Sequence, residues 1–358
     1  MKSRVAVVKT NPGKVLEDIQ RLMELAGVRY HLKSNLPTIL KVNITWHFYY
    51  PACSTTPWQL DGVVSALSKF GYRDLIPAQN RTVVINPEIG ADNNHLTSVM
   101  KKHNLKFVYL YKPDVEWIHF KPKSRMLVLD RVYADGIQIP KLFIGKNAFH
   151  LPTMKTHVFT TITGAMKNAF GGLLNDNRHW THSVIHETLV DLLQIQKEIH
   201  PGIFCVTDGT VAGDGAGPRL MHPHVKNYML ASGDSVAIDA VTAKMMGFDP
   251  LDLKFLYLAH QMGLGNADPH EIEIVGEDIR NVNFHFQMKD TFASRGQKAI
   301  YWGPLKPLEN LLLRTPIVPW SFIASRFYHD YYWYNIHGKK IAQKFLRTDW
   351  GKLFNSYK

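Results

Sequence analysis

The sequence has little cysteine: Cys53 and Cys205 are the only thiols in 358 residues. Two sulfurs so far apart supply neither a disulfide framework nor the clustered thiolates of a zinc or iron–sulfur site. Any iron–sulfur cluster would belong to a separate redox partner. Long apolar runs are also missing, and none approaches the roughly 20 residues that span a bilayer. Met1 opens no basic, apolar leader of the secretory kind, so a cytoplasmic protein is expected. Negative charge is scarce as well: 30 Asp and Glu stand against 42 Lys and Arg, a formal +12 that favours anionic partners.

The remaining composition, 45% hydrophobic and 20% charged, is that of an ordinary globular chain. "RVAVVK", "GKVLEDIQRLMELAG", "TILKVNI" and "PWQLDGVVSALSKFG" alternate strand and helix patterns. The alternation predicts an α/β fold, a layered and mostly parallel sheet with flanking helices. It divides into two α/β halves, 1–140 and 141–281, followed by a helical, basic, aromatic extension over 282–358. "RMLVLDRVYADGIQIPKLFIG" reads as a hairpin turning at Asp135 and Gly136.

In open α/β sheets ligands bind beyond the carboxyl ends of strands. Three stretches have the polar or glycine content such a place needs. In "KTHVFTTITGAMKNAFGG", residues 155–172, a strand ending near 150–153 leaves Lys155 and His157 in a loop. Lys167 and Asn168 then lie on the next helix. Free amides at that helix start, beside Thr163 and Gly164, attract an anion, and a histidine moves protons near neutral pH. The alternative is a solvated, threonine-rich turn with a basic rim.

In "RHWTHSVIHE", His179, His182 and His186 recur at helical spacing, which suits nickel, zinc or iron or simply makes a polar helix start. In "GTVAGDGAGPR", Gly215 and Gly217 bring backbone against a ligand. Asp208 and Asp214 there either hold a divalent cation or settle the loop itself. Asp234, ahead of "SVAIDAV", reads as a helix cap.

"ILKVNI", "STTP", "LPTMKTHVFTTITGAMKNAFGG", "VTDGTVAGDGAGP", "ASGDSVAIDAVTAKMMGFDP" and "GLGNADPHEIEIVGE" together resemble the family known as domain of unknown function 362. The resemblance runs over residues 1–280. It departs at Val42, where the family has proline, and in lacking the ferredoxin-like cysteine segment of some members. The spacing of His157, Lys167 and His182 more weakly resembles the nickel-pincer lactate racemases. That resemblance implies a nicotinate-derived cofactor tethered to Lys167, proton exchange by His157 and a metal held by His182. "CSTTP" has Cys53 and Thr56 where those enzymes have Asp and Arg, so a shared fold and site location are implied rather than a shared reaction.

Two functional expectations result. One is an enzyme, isomerase or oxidoreductase, or a ligand-binding protein for a small anionic organic ligand or cofactor. His157 and Lys155 would carry its chemistry. Lys167, Asn168, Thr163, Gly164, Thr56, Asp208, Asp214, Gly215 and Gly217 would line the ligand, and His182 and His186 would hold a divalent metal. The other is a non-catalytic protein that docks on anionic membrane or nucleic acid through residues 326–358, where cations from Arg326 to Lys358 interleave with tyrosines and tryptophans. The plainer reading of that segment is a helix packed by its aromatics with its lysines in water.

Overall fold

A computed structural model describes residues 3–82, 84–316 and 318–358. Short runs rich in branched apolar residues form its strands: β1 (Arg4–Lys9), β2 (Thr38–Val42), β3 (Leu75–Gln79), β4 (Val108–Tyr109), β5 (Trp117–Phe120) and β6 (Ile137–Pro140). The second half of the chain adds β7 (Asn147–Leu151), β8 (Thr153–His157), β9 (Thr161–Ile162), β10 (Ile203–Ala216), β11 (Leu220–Ser232) and β12 (Glu273–Gly276).

One ten-stranded sheet runs β12-β1-β11-β10-β7-β2-β3-β4, with β8 against β10 and β9 against β8. The pairs from β10 through β7, β2 and β3 to β4 are parallel, as is β1 with β12. Only β11 runs against both of its neighbours along that path. The expected mostly parallel α/β layering is therefore present.

Parallel strands are buried on both faces, which is why they read as unbroken apolar runs. Helices Val15–Leu25 and Pro57–Lys69 cover one face with Ile19, Leu22, Leu60 and Val63. Helices Ile185–Ile199 and Ser235–Met246 cover the other with Leu189, Leu192, Ile238 and Val241. Asp234 caps the last of these, accepting the amides of Val236 and Ala237 at 2.9 and 3.0 Å.

Two local expectations are corrected. The glycine-rich stretch is not a loop but the body of a long β10–β11 hairpin, with a register shift between Gly209 and Val211. Its glycines serve close packing: a Cβ at Gly213 would lie 2.8 Å from Met221 Sδ, and one at Gly209 would lie 3.1 Å from the Tyr228 carbonyl. Nor do residues 125–145 form a hairpin on themselves. The Asp191 carboxylate accepts the amides of Leu127, Val128 and Leu129 and starts a short helix, Leu129–Val132, while β6 pairs instead with the upstream β5.

The extension is helical, as expected. It folds back over residues 46–58 through aromatic contacts: Phe48 stacks on Tyr334 at 4.2 Å, Tyr49 on Phe354 at 3.9 Å, and Trp58 meets Trp350 at 5.0 Å. Among the described residues no helix is long and apolar enough to cross a membrane.

Candidate functional site: a cationic cluster beyond the strand ends

The opening of the 155–172 stretch is strand, not loop. β8 pairs with β10 at Thr153–Asp208 and Lys155–Gly213, so Lys155 and His157 project from the sheet itself. Lys155 is 1% exposed, and its ammonium donates to Thr45 Oγ1 at 3.1 Å and to the Cys53 carbonyl. Burial lowers its pKa to about 8. Its charge is spent on fastening the 45–53 loop.

His157 is buried too, and its Nδ1 accepts the Phe159 amide at 3.1 Å. The ring proton therefore sits on Nε2. Burial, with Lys167, His182, Lys155 and His186 nearby, holds its pKa well below the usual histidine value, so the ring is neutral.

The helix Gly164–Asn168 begins where an anion was expected, and an anion is there: the Asp239 carboxylate accepts the amides of Ala165 and Met166 at 2.6 and 2.9 Å. This internal plug corrects the reading of Thr163 and Gly164 as an open anion cradle. Gly164, at φ +85°, is required because a Cβ would sit 2.4 Å from Asp239 Oδ1. Burial raises the Asp239 pKa to about 7. Thr163 Oγ1 is buried with no hydrogen-bond partner. Asn168 donates to the Lys41 carbonyl at 2.7 Å, tying this helix to the end of β2.

Lys167 differs from Lys155. It is half-buried, and its ammonium lies 4.9 Å from the Phe170 ring centroid with no hydrogen-bond or ion-pair partner among the described residues. Burial, Arg178 and Lys155 lower its pKa to about 7. The Arg178 guanidinium lies 5.8 Å from the same ring. One of its nitrogens donates to the Arg81 carbonyl; Nη1 is buried without a partner. The nearby carboxylate, Asp176, is held by Arg81 in a bidentate pair.

His182 completes the group. Its Nδ1 donates to the His179 carbonyl at 3.0 Å, so Nε2 carries a lone pair. Its ring stacks on Tyr301 at 5.7 Å and meets Phe159 and Phe170 edge-on. Burial and Lys167 lower its pKa to about 3.

The histidines do not share one helix face as expected. Residues Asp176–Val184 form a 3-10 helix, and the α-helix begins only at Ile185. His179 turns to the Asp176 and Leu313 carbonyls, and His186 packs beside Phe255. Among the described residues no three metal-ligating side chains come together.

The remaining candidates are structural fasteners in this geometry. Asp208, fully buried, accepts from Thr56 Oγ1 at 2.5 Å, Trp58 Nε1 at 3.1 Å, and the amide and hydroxyl of Thr210 at 2.8 and 2.7 Å. Asp214 pairs with His224 at 2.9 Å, out along the hairpin. The Gly215 and Gly217 carbonyls accept the Thr156 hydroxyl and the Val158 amide, and a Cβ at Gly217 would collide with the Thr156 carbonyl at 1.8 Å. These contacts hold the end of β8 in place.

Residue-by-residue reading of the sequence passed over Arg178, Lys41 and Gln79. Lys41 is wholly buried at the end of β2 and donates to the Val42 carbonyl and to Gln79 Oε1. The only sequence signal for Arg178 is its position beside His179, in a stretch already singled out for its imidazoles.

The fold and site thus define an α/β protein with a carboxylate-poor cationic cluster placed past the carboxyl ends of its parallel strands. The chain belongs to the family described as Domain of unknown function (DUF362), whose model matches residues 38–244. It is also similar to a thylakoid-associated protein of Synechocystis, at 28% identity over 119 residues, which covers 32% of this chain and 37% of that relative. No solved structure matches it.

Proposed function

We propose that the chain binds a small organic anion, bearing carboxylate or phosphate, between Lys167, Arg178 and the imidazoles of His157 and His182. One observation carries this reading: two cationic side chains converge on the Phe170 ring, and neither an ion-pair partner for Lys167 nor an acceptor for Arg178 Nη1 is present among the described residues. Burying unpaired positive charge is costly, and an anion supplies the missing partner.

The bound charge also changes the chemistry. It raises the pKa of Lys167 and His157 by offsetting the cations that depress them. His157, until then neutral and a donor through Nε2–H, becomes able to carry and deliver a proton. Without the ligand, Lys167 at a pKa of about 7 is partly free amine near neutral pH and can meet a carbonyl carbon as a nucleophile on entry, before the ligand's charge favours the ammonium. A lysine-tethered cofactor is a second reading, favoured by the same uncommitted amine. A metal entering with the ligand would find one imidazole nitrogen there, His182 Nε2.

Native mass spectrometry with elemental analysis, on protein purified from its own source, tests this. An acidic small molecule is expected on the wild-type chain and is expected to be lost in Lys167→Met; a covalent adduct would map to Lys167 and any metal would disappear in His182→Ala. Identical spectra for wild type and Lys167→Met would sink the reading.

A further inference from the structure

Helix Pro319–Arg326 continues without a break into the wider helix Phe327–Gly338, and the two sides of this rod differ in an unusual way. One side packs on the body: Asp330 accepts the Trp46 indole at 2.7 Å, and Trp333 and Tyr334 contact the Trp46 ring. The other side is just as apolar, yet it faces solvent. Trp320, Ile323, Phe327, Tyr331, Tyr332 and Ile336 are 42, 69, 66, 68, 49 and 46% exposed. Steps of three or four residues, with Tyr331 and Tyr332 side by side, put them along one side of the rod.

Along the chain this strip is followed by cations, and the carboxylate that shares a groove with Phe322 and Arg326, Asp176, is paired with Arg81. Arg326, Lys339, Lys340, Lys344 and Arg347 are exposed. The single carboxylate between residues 310 and 348, Asp330, is buried against Trp46. A contiguous apolar surface of this kind marks an interaction site.

We propose that this face docks on the surface of an anionic lipid bilayer, with the apolar strip entering the headgroup region and the flanking lysines and arginines meeting lipid phosphates. The occupant follows from the chemistry. Ile323, Phe327 and Ile336 gain by entering a hydrocarbon boundary, Trp320 and the tyrosines suit its polar edge, and the cations complement its charge. A single-stranded nucleic acid would reward stacking aromatics along a cationic groove but leave the isoleucines without a partner. A second copy of the chain, related by a twofold axis, would bring like-charged rims together.

The chain just before this rod covers the cationic cluster, and Phe322 of the rod itself meets His179 edge-on at 5.9 Å. Tyr301 stacks on His182, the Leu313 carbonyl meets His179, and Arg314 donates to the Trp180 carbonyl. Docking would therefore set the site beside the membrane, whatever anion the cluster takes.

Co-sedimentation of the full chain with phosphatidylglycerol–phosphatidylcholine vesicles, and separately with phosphatidylcholine alone, tests the proposal. Binding is expected on the anionic vesicles and expected to weaken as salt rises. Ile323→Glu with Phe327→Glu should reduce partitioning by about tenfold per side chain while leaving the circular dichroism and melting temperature of the exposed-face variant unchanged. Lys339→Glu with Lys340→Glu should weaken binding and flatten its salt dependence. Equal binding to neutral vesicles, or no effect of Ile323→Glu with Phe327→Glu, would overturn it. So would vesicle-independent binding of RNA lost in the lysine variant, or a dimer that the apolar variant splits while vesicles go unbound.

Discussion

Lys155 and Lys167 are the same residue type twelve positions apart, and their surroundings give them opposite characters. The first spends its charge on Thr45 and the Cys53 carbonyl; the second has no acceptor among the described residues and rests over a ring. The pKa of Lys167 in the fold, about 7, lies below its ordinary 10.5, so the unfolded chain binds the extra proton between those values. Stability attributable to this group therefore rises with pH across that window and is lowest below pH 7. Lys167→Met is expected to raise stability by about 1–2 kcal/mol at pH 6, the gain fading towards pH 10. Denaturant melts at the two pH values measure this, and a pH-independent effect would contradict the assignment. From the sequence, both lysines read as anion-seeking. Which one is free was not legible there, because the acceptors for Lys155 come from residues 45 and 53, over a hundred positions away.

The helix Gly164–Asn168 is held in place by a side chain from another helix. Asp239 fills its amino end, a place that a reading of residues 155–172 alone leaves open. Removing the acceptor in Asp239→Ala should cost about 1–3 kcal/mol, because two buried amides lose their partner. Asp239→Asn separates charge from shape. The folded carboxyl titrates at about 7 against an ordinary 3.8, so the folded state binds the extra proton between those values and wild-type stability falls as pH rises through them. Asp239→Asn should lack that slope in pH-dependent melts. The β10–β11 hairpin makes a related point at element scale. "GDGAG" reads as a ligand loop because glycine is common in loops, yet here its glycines permit close contact with Met221 and Thr156. No local pattern distinguishes the two uses, since the neighbours that crowd each glycine lie elsewhere in the chain.

At the scale of the whole molecule, the carboxyl-terminal helices cover residues 46–50 and the start of the helix Pro57–Lys69. Trp350 is 2% exposed, lies 5.0 Å from Trp58, and donates to Asn227 Oδ1 at 2.7 Å. Trp350→Ala should cost about 3–5 kcal/mol through the cavity and the lost hydrogen bond, a large fraction of the stability of a typical domain. Calorimetric melting measures it, and a shift within error would show that the extension is an independent appendage. The aromatic packing was legible in the density of tyrosine and tryptophan. The second, solvent-facing strip was not, because composition does not say which side of a helix is already occupied.

The sequence by itself determined the layered, mostly parallel α/β architecture, the cap at Asp234 and the stretch in which the cationic cluster lies. These follow from local periodicity and capping chemistry, which act over a few residues. Tertiary structure alone decided which charges are compensated: Asp239 closing the helix start, Arg178 joining Lys167 over Phe170, and the three histidines turning to separate partners. Charge compensation depends on distances in space between groups far apart in the chain, and only the folded packing sets those distances.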